Sequence, residues 1–146
     1  MGDPFKMATA KILIIDDSEP DVELFRYALD EQREEYELEI LKDGEAALQF
    51  VSEHRTGLRE PTPCAILLDL YLPRYDGLAV LQAIRRAPAL EHIHVMVLTG
   101  GASPQQQTEI AAMGAVYRRK PSSLDDVLQL AAEVLALCKE SSKVAA

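Results

Sequence analysis

Apolar runs of strand length alternate with segments of helical period five times along this chain. Lys11 to Asp16 reads K-I-L-I-I-D, short, Ile-rich and almost wholly apolar, as a strand covered on both faces should be. From Ser18 to Gln32 the apolar positions Val22, Phe25 and Leu29 recur at helical spacing. Ser18 suits the N-cap there, and Glu19 and Asp21 fall in the first turn, where negative charge complements the helix dipole. Tyr36 to Leu41 alternates Tyr36, Leu38 and Ile40 with Glu37 and Glu39, which predicts a half-exposed strand at a sheet edge. Asp43-Gly44 turns into a second helix carrying Ala47, Leu48 and Val51, and Arg55 to Pro63, with Gly57, Pro61 and Pro63, reads as a loop. Cys64 to Leu70 is apolar throughout apart from Asp69 near its end, so it belongs in the sheet interior. A third helix runs from about Gly77 through Leu78, Leu81 and Ile84 to the break at Ala87-Pro88, and His94 to Thr99 forms a fourth strand. Pro104 suits the first turn of a fourth helix that Gly114 closes. Ala115 to Arg119 is a short fifth strand. Leu124 to Lys139 is the last helix, with Val127, Leu128, Ala131, Val134, Leu135 and Cys138 on a broad apolar face.

Five β-α units in alternation predict an α/β fold: a doubly wound, five-stranded parallel sheet with five helices, placed on both faces by right-handed crossovers. A chain of 146 residues has room for one such domain, read here as residues 9–140. Residues 1–8 read as an expression scar or disordered N-terminus, since Gly2-Asp3-Pro4 has no pattern of its own and a second Met follows at Met7; residues 141–146 read as a disordered tail. Nothing suggests an output domain after the last helix.

Charge narrows the choice of partner. The net charge is −9 and no Lys/Arg cluster stands out, which argues against nucleic acid and against anionic membrane surfaces, because both need a concentrated positive face. Arg85-Arg86 and Arg118-Arg119 are read as solvated pairs. No apolar run approaches the length of a bilayer span and no signal-peptide core is present, so a soluble, cytoplasmic protein is expected. Cys64 and Cys138 show no metal-binding or redox spacing and are expected as reduced, buried, inert thiols. His92 and His94 lack a third ligand for zinc, and His54 lacks a partner.

The strand ends carry the chemistry. In an open parallel sheet, ligands bind outside the carboxyl ends of the strands where the order reverses. Asp16 and Asp17 close the first strand, Asp69 the third, and Thr99 and Lys120 follow the fourth and fifth, so all five should face one crevice. Alone, an Asp-Asp pair is a turn signal, Lys120 a solvated lysine and Thr99 a capping hydroxyl. Together they describe a phosphoryl site. Three neighbouring carboxylates repel, and a hard divalent cation such as Mg²⁺ removes that repulsion while bridging to a phosphoryl oxygen. Asp69 is then the nucleophile that forms an acyl phosphate, Lys120 a point charge opposite the metal, and Thr99 a donor to another oxygen. Gly100 and Gly101 leave space for an incoming phosphodonor side chain.

These pieces, I-I-D-D-S (14–18), L-L-D-L-Y-L-P-R-Y-D-G (67–77), V-L-T-G-G (97–101) and G-A-V-Y-R-R-K-P (114–121), resemble the receiver domain of two-component response regulators from Lys11 to Lys139. The resemblance implies a flavodoxin-like sheet of order 2-1-3-4-5, with Asp69 as phosphoacceptor and Asp16 and Asp17 as metal-site acids. It further implies the backbone carbonyl of Tyr71 as another Mg²⁺ ligand and Thr99 and Tyr117 as a switch pair. The long Arg55 to Pro63 loop and L-P-R-Y-D-G look like the single-domain receivers that serve bacteriophytochromes and related sensor histidine kinases. By resemblance, the chain is a phosphorelay protein rather than an enzyme with a separate substrate. It takes phosphate from a sensor histidine kinase of the phytochrome type, promotes its own phosphorylation and dephosphorylation, and signals by binding a downstream protein partner. A homodimer stays open, although Val116 to Pro121 lacks the charge pattern of DNA-binding receivers that pair through this region. Tyr71, where the subgroup commonly has Asn, and Gly101 flank the phosphoryl position and bear on the lifetime of the phosphorylated state.

Two other classes compete. A haloacid-dehalogenase-type phosphatase uses D-x-D, and Tyr71 cannot supply its second carboxylic acid. A scaffold with a vestigial site would not need all five residues.

Overall fold

The structure is a computed structural model that describes residues 9–55 and 62–145, with side chains through residue 140. The N-terminal segment and most of the Arg55 to Pro63 loop lie outside the described residues, and the last helix continues to Ala145, past the Lys139 end and into the tail expected above. The elements are β1 (Ala10–Ile15), α1 (Glu19–Glu31), β2 (Tyr36–Leu41), α2 (Gly44–Arg55), β3 (Ala65–Asp69), β4 (Tyr71–Leu72), β5 (Tyr75–Asp76), α3 (Gly77–Arg86), β6 (His94–Thr99), α4 (Pro104–Ala112), β7 (Val116–Arg119) and α5 (Leu124–Ala145). Five strands form one parallel sheet in the order β2-β1-β3-β6-β7, while β4 and β5 form a separate antiparallel hairpin. Leaving that hairpin aside, the order is the 2-1-3-4-5 expected from the resemblance, with the half-exposed Tyr36–Leu41 strand at one edge. Among the described residues, no helix is long and apolar enough to cross a membrane.

Strand alternation divides the core between the two faces of the sheet. Leu13, Ile15, Ile66, Leu68, Val95 and Val97 point toward α2, α3 and α4, where they meet Phe50, Val51, Leu81, Ile84 and Ile110. Ile12, Ile14, Leu67, Met96 and Leu98 point the other way, onto Phe25 and Leu29 of α1 and Val127, Ala131 and Val134 of α5. Because β1, β3 and β6 are covered on both sides, their sequences are unbroken apolar runs. The helices are not equally anchored: Ile110 is the buried residue of α4.

Local chemistry sets the helix ends. Ser18 caps α1, its side chain accepting from the Asp21 amide, and Ser103 forms a reciprocal capping box with Gln106 ahead of Pro104. Ala87 ends α3 in extended backbone, as the residue before Pro88 must. Gly114 follows α4 at φ +70, the left-handed position that glycine fills without strain. Gly77 is demanded by packing: a Cβ there would lie 2.5 Å from the Leu70 carbonyl oxygen, so no side chain fits where α3 leaves the sheet edge.

Two expectations are corrected. Arg85 is not a solvated cation. Its Nε donates to Met113 O (2.7 Å), Nη1 to Glu91 O (3.0 Å) and Ile93 O (2.7 Å), and Nη2 to Gly114 O (3.2 Å), so one guanidinium ties the turn before β6 to the turn before β7. Met113 and Gly114 lie 28 and 29 positions away, and the nearer Glu91 and Ile93 sit in the turn that follows the Ala87-Pro88 break, so the residues flanking Arg85-Arg86 do not show that these carbonyls meet it. Cys64 and Cys138 are joined in a disulfide, their Cα atoms 5.1 Å apart, instead of standing as free thiols. Cys64 enters β3, and the apolar face of α5 that packs on β1 and β3 brings Cys138 onto it across a separation of 74 residues, a meeting no local spacing announces.

Replacing Arg85 with Ala leaves several carbonyls without their partner and should cost about 2 kcal/mol, measured as a lower urea midpoint at unchanged m-value. Thiol titration of the unreduced, denatured protein should find no free cysteine, and reduction should lower stability by about 2–4 kcal/mol given the long loop that the bond closes.

Candidate functional site

Two neighbouring strands, β1 and β3, end at one edge of the sheet and deliver the acids there. Asp69 is the last residue of β3, paired in register with Leu98 of β6, and Asp16 follows β1, its amide bonded to Leu41 O of β2 at 2.9 Å. Carboxylate oxygens of Asp16, Asp17 and Asp69 lie within 4.8 Å of one another. Asp16 and Asp69 are 4% and 6% exposed, whereas Asp17 opens to solvent, so the cluster has a buried floor and one accessible rim. An open basin of about 320 Å³ adjoins it, lined in part by Asp16, Asp17, Glu19 and Lys42.

The two buried acids are held alike. Asp16 Oδ1 accepts from the Ser18 amide at 2.9 Å and Asp69 Oδ1 from the Tyr71 amide at 3.1 Å, each through the backbone two residues on, an Asx turn that fixes the side chain. Their other oxygens face Lys120. The lysine backbone is fixed first, its amide donating to Thr99 O at 3.0 Å. Its Nζ then lies 3.3 Å from Asp16 Oδ2, 3.3 Å from Asp69 Oδ2 and 2.9 Å from Asp21 Oδ2. An ammonium has three donors, and three carboxylates surround this one.

The electrostatics follow from burial and pairing. Burial raises the pKa of Asp16, against the lowering by the Ser18 amide and Lys120, and Asp69 adds to the rise. For Lys120, burial alone would lower the pKa, but the Asp21 hydrogen bond and the charges of Asp16, Asp69 and Asp21 outweigh it, and the net shift is upward. The ammonium is therefore firmly charged. Three acids share this one cation and Asp17 adds a fourth carboxylate beside them, and the surplus negative charge on an oxygen-only donor set suits a hard divalent ion.

Thr99 is 1% exposed and its hydroxyl turns into its own loop, donating to Gly101 O at 3.1 Å and accepting from the Gly101 amide at 3.3 Å. Tyr117, in register with Val97, packs half-buried against the core on the α2, α3 and α4 side. Tyr71 is exposed, its hydroxyl near Gly101 O at 3.4 Å, and beside it a Cβ on Gly100 or Gly101 would meet nothing within 4 Å. Of the residues named from the sequence, Asp16, Asp17, Asp69 and Lys120 meet directly, Tyr71 joins through its amide, and Thr99 and Tyr117 stand behind them on adjacent strands. Along the sequence Asp21 shows only a helix-dipole role. Its contact with Lys120 crosses 99 positions, and no local pattern could have announced it.

An open sheet of order 2-1-3-4-5 with acids and a lysine at the carboxyl edge defines a class of phosphoryl-handling α/β proteins, and family comparison makes it specific. Residues 12–132 match the response regulator receiver domain, and the chain belongs to that family, the receiver of two-component systems. It is 42% identical over 88 residues to the response regulator Rcp1 of Synechocystis sp., covering 60% of each chain. It is 33% identical over 124 residues to the probable methanogenesis regulatory protein FilR2 of Methanothrix harundinacea, covering 84% of this chain and 79% of that one. Among solved structures it is similar to the Mn²⁺-bound form of Rcp1 (32% identity, TM-score 0.75, 87% of this chain and 92% of that one). It is also similar to the phosphorylated cyanobacterial phytochrome response regulator RcpA (26% identity, TM-score 0.80, 92% and 96%).

Proposed function

We propose that this chain accepts one phosphoryl group on Asp69 from a phosphohistidine of a sensor histidine kinase and signals by phosphorylation-dependent binding to a downstream protein. The observation that carries the reading is the approach of Lys120 Nζ to within 3.3 Å of Asp69 Oδ2 at a cluster whose acids lie within 4.8 Å of one another. In the step, an Asp69 carboxylate oxygen forms a bond to phosphorus while the bond from phosphorus to the imidazole nitrogen breaks. The electron pair leaves with the histidine. The Tyr71 amide and Lys120 orient the carboxylate, and the Lys120 ammonium turns toward a phosphoryl oxygen as charge arrives. Asp16, Asp17 and Asp69, with the Tyr71 carbonyl, would hold Mg²⁺. When bound, that ion offsets the acids' repulsion and draws charge from the phosphoryl oxygens.

The Thr99 hydroxyl, now bonded within its loop, gains a stronger acceptor when a phosphoryl oxygen arrives. Its rotation would open space behind it for Tyr117, and α4, with Ile110 as its buried residue, is the element such a shift moves most easily. The readout is then a changed face around α4, β7 and α5 for a cytoplasmic protein partner. A kinase of the phytochrome type is supported by the similarity to Rcp1 and RcpA, the latter a phytochrome response regulator.

Acetyl phosphate or the kinase should add a single phosphoryl mass that depends on Mg²⁺, is prevented by EDTA and is missing from Asp69→Asn; a label that persists in Asp69→Asn rejects the assignment. Partner affinity should differ about tenfold between the two states in the wild type and lose that difference in Thr99→Ala, read by calorimetry with a stable phosphoryl analogue; equal coupling in the variant removes the switch.

A further inference from the structure

We propose that Asp21 is a positioning residue for Lys120, a leash from α1 that holds the ammonium beside the acceptor while leaving it free to trade Asp69 for an incoming phosphoryl oxygen. The proposal rests on the phosphoacceptor reading of Asp69.

Of the three carboxylates around Lys120 Nζ, the nearest is Asp21 at 2.9 Å, against 3.3 Å for Asp16 and Asp69. Asp21 alone among them comes from a helix and not from a strand end. Its backbone is set by the N-cap: the Asp21 amide donates to Ser18 Oγ at 3.4 Å, and the Ser18 amide in turn donates to Asp16 Oδ1. One capping turn therefore fixes both a buried acid and the leash. Leu24, Phe25, Val127 and Leu130 of α1 and α5 line a small pocket together with Asp21 and Lys120, so the pair borders apolar surface that the lysine stem can lie along.

The consequence concerns the acceptor. An ammonium held only by Asp16 and Asp69 would settle onto Asp69, drawing charge from the attacking oxygen and filling the space a phosphoryl group must enter. With Asp21 taking the shortest contact, the bond to Asp69 can pass to a phosphoryl oxygen while the lysine stays tethered. A role confined to the helix dipole does not require this contact, since Glu19 already places a charge in the same turn.

The test measures the rate of phosphorylation by acetyl phosphate at saturating Mg²⁺, with the Lys120 ammonium followed by nitrogen-15 NMR. Asp21→Asn and Asp21→Ala should react about three- to tenfold more slowly and lose the slowly exchanging Lys120 signal. Asp21→Glu should keep the signal and react within about twofold of wild type, showing rescue by a carboxylate. Glu23→Gln, which removes a nearby charge paired with Arg26 instead of Lys120, serves as the charge control and should also stay within about twofold. Wild-type rates and an unchanged Lys120 signal in Asp21→Asn overturn the proposal, as does an equal slowing in Glu23→Gln. Failure of the underlying reading looks different: Asp69→Asn would then still accept the phosphoryl group, whatever the Asp21 variants do.

Discussion

Charge concentrated at the sheet edge governs this molecule. Asp16 and Asp69 are nearly buried, and burial raises the cost of their negative charge; Lys120 answers it by placing one ammonium within 3.3 Å of both. The rest of the edge is arranged around that contact. Backbone amides of Ser18 and Tyr71 take the inner oxygens, the Thr99 carbonyl fixes the lysine backbone, and Asp17 is left at the rim facing solvent. Such a site keeps a net negative charge after Lys120 is counted, a donor set that suits a divalent cation.

The fold supplies the rigidity this requires. Strands β1, β3 and β6 are packed on both faces, so the carboxyl ends that carry Asp16, Asp69 and Thr99 cannot drift independently. Gly77 leaves the sheet edge in contact with the Leu70 backbone, which keeps α3 close under the loop that follows Asp69. The Arg85 guanidinium and the Cys64–Cys138 disulfide act farther away, one joining the turns that lead into β6 and β7, the other tying α5 to the start of β3. By contrast α4 is lightly held, with Ile110 as its buried residue, and the glycine pair after Thr99 leaves the approach open. Stiff support lies beneath the acids and a loosely anchored helix beside them.

Legible along the chain are the element order, the edge position of Tyr36–Leu41, the two-faced burial of the apolar runs and the gathering of Asp16, Asp17, Asp69 and Lys120 at one rim with Thr99 behind them. These have local causes: period, caps, proline and glycine positions, and the rule that strand ends of a parallel sheet converge. Features built by side chains from different elements emerge only once those elements pack. Asp21 looked like a dipole residue until the packing of α1 beside the β7–α5 turn put it on Lys120. Arg85 reads as solvated along the sequence, and the turns before β6 and β7 close their carbonyls on its guanidinium. Cys64 and Cys138 looked like separate thiols until α5 lay across β3. Each of these contacts depends on how two elements pack, and periodicity along one segment carries no information about the side chains another segment will bring to it.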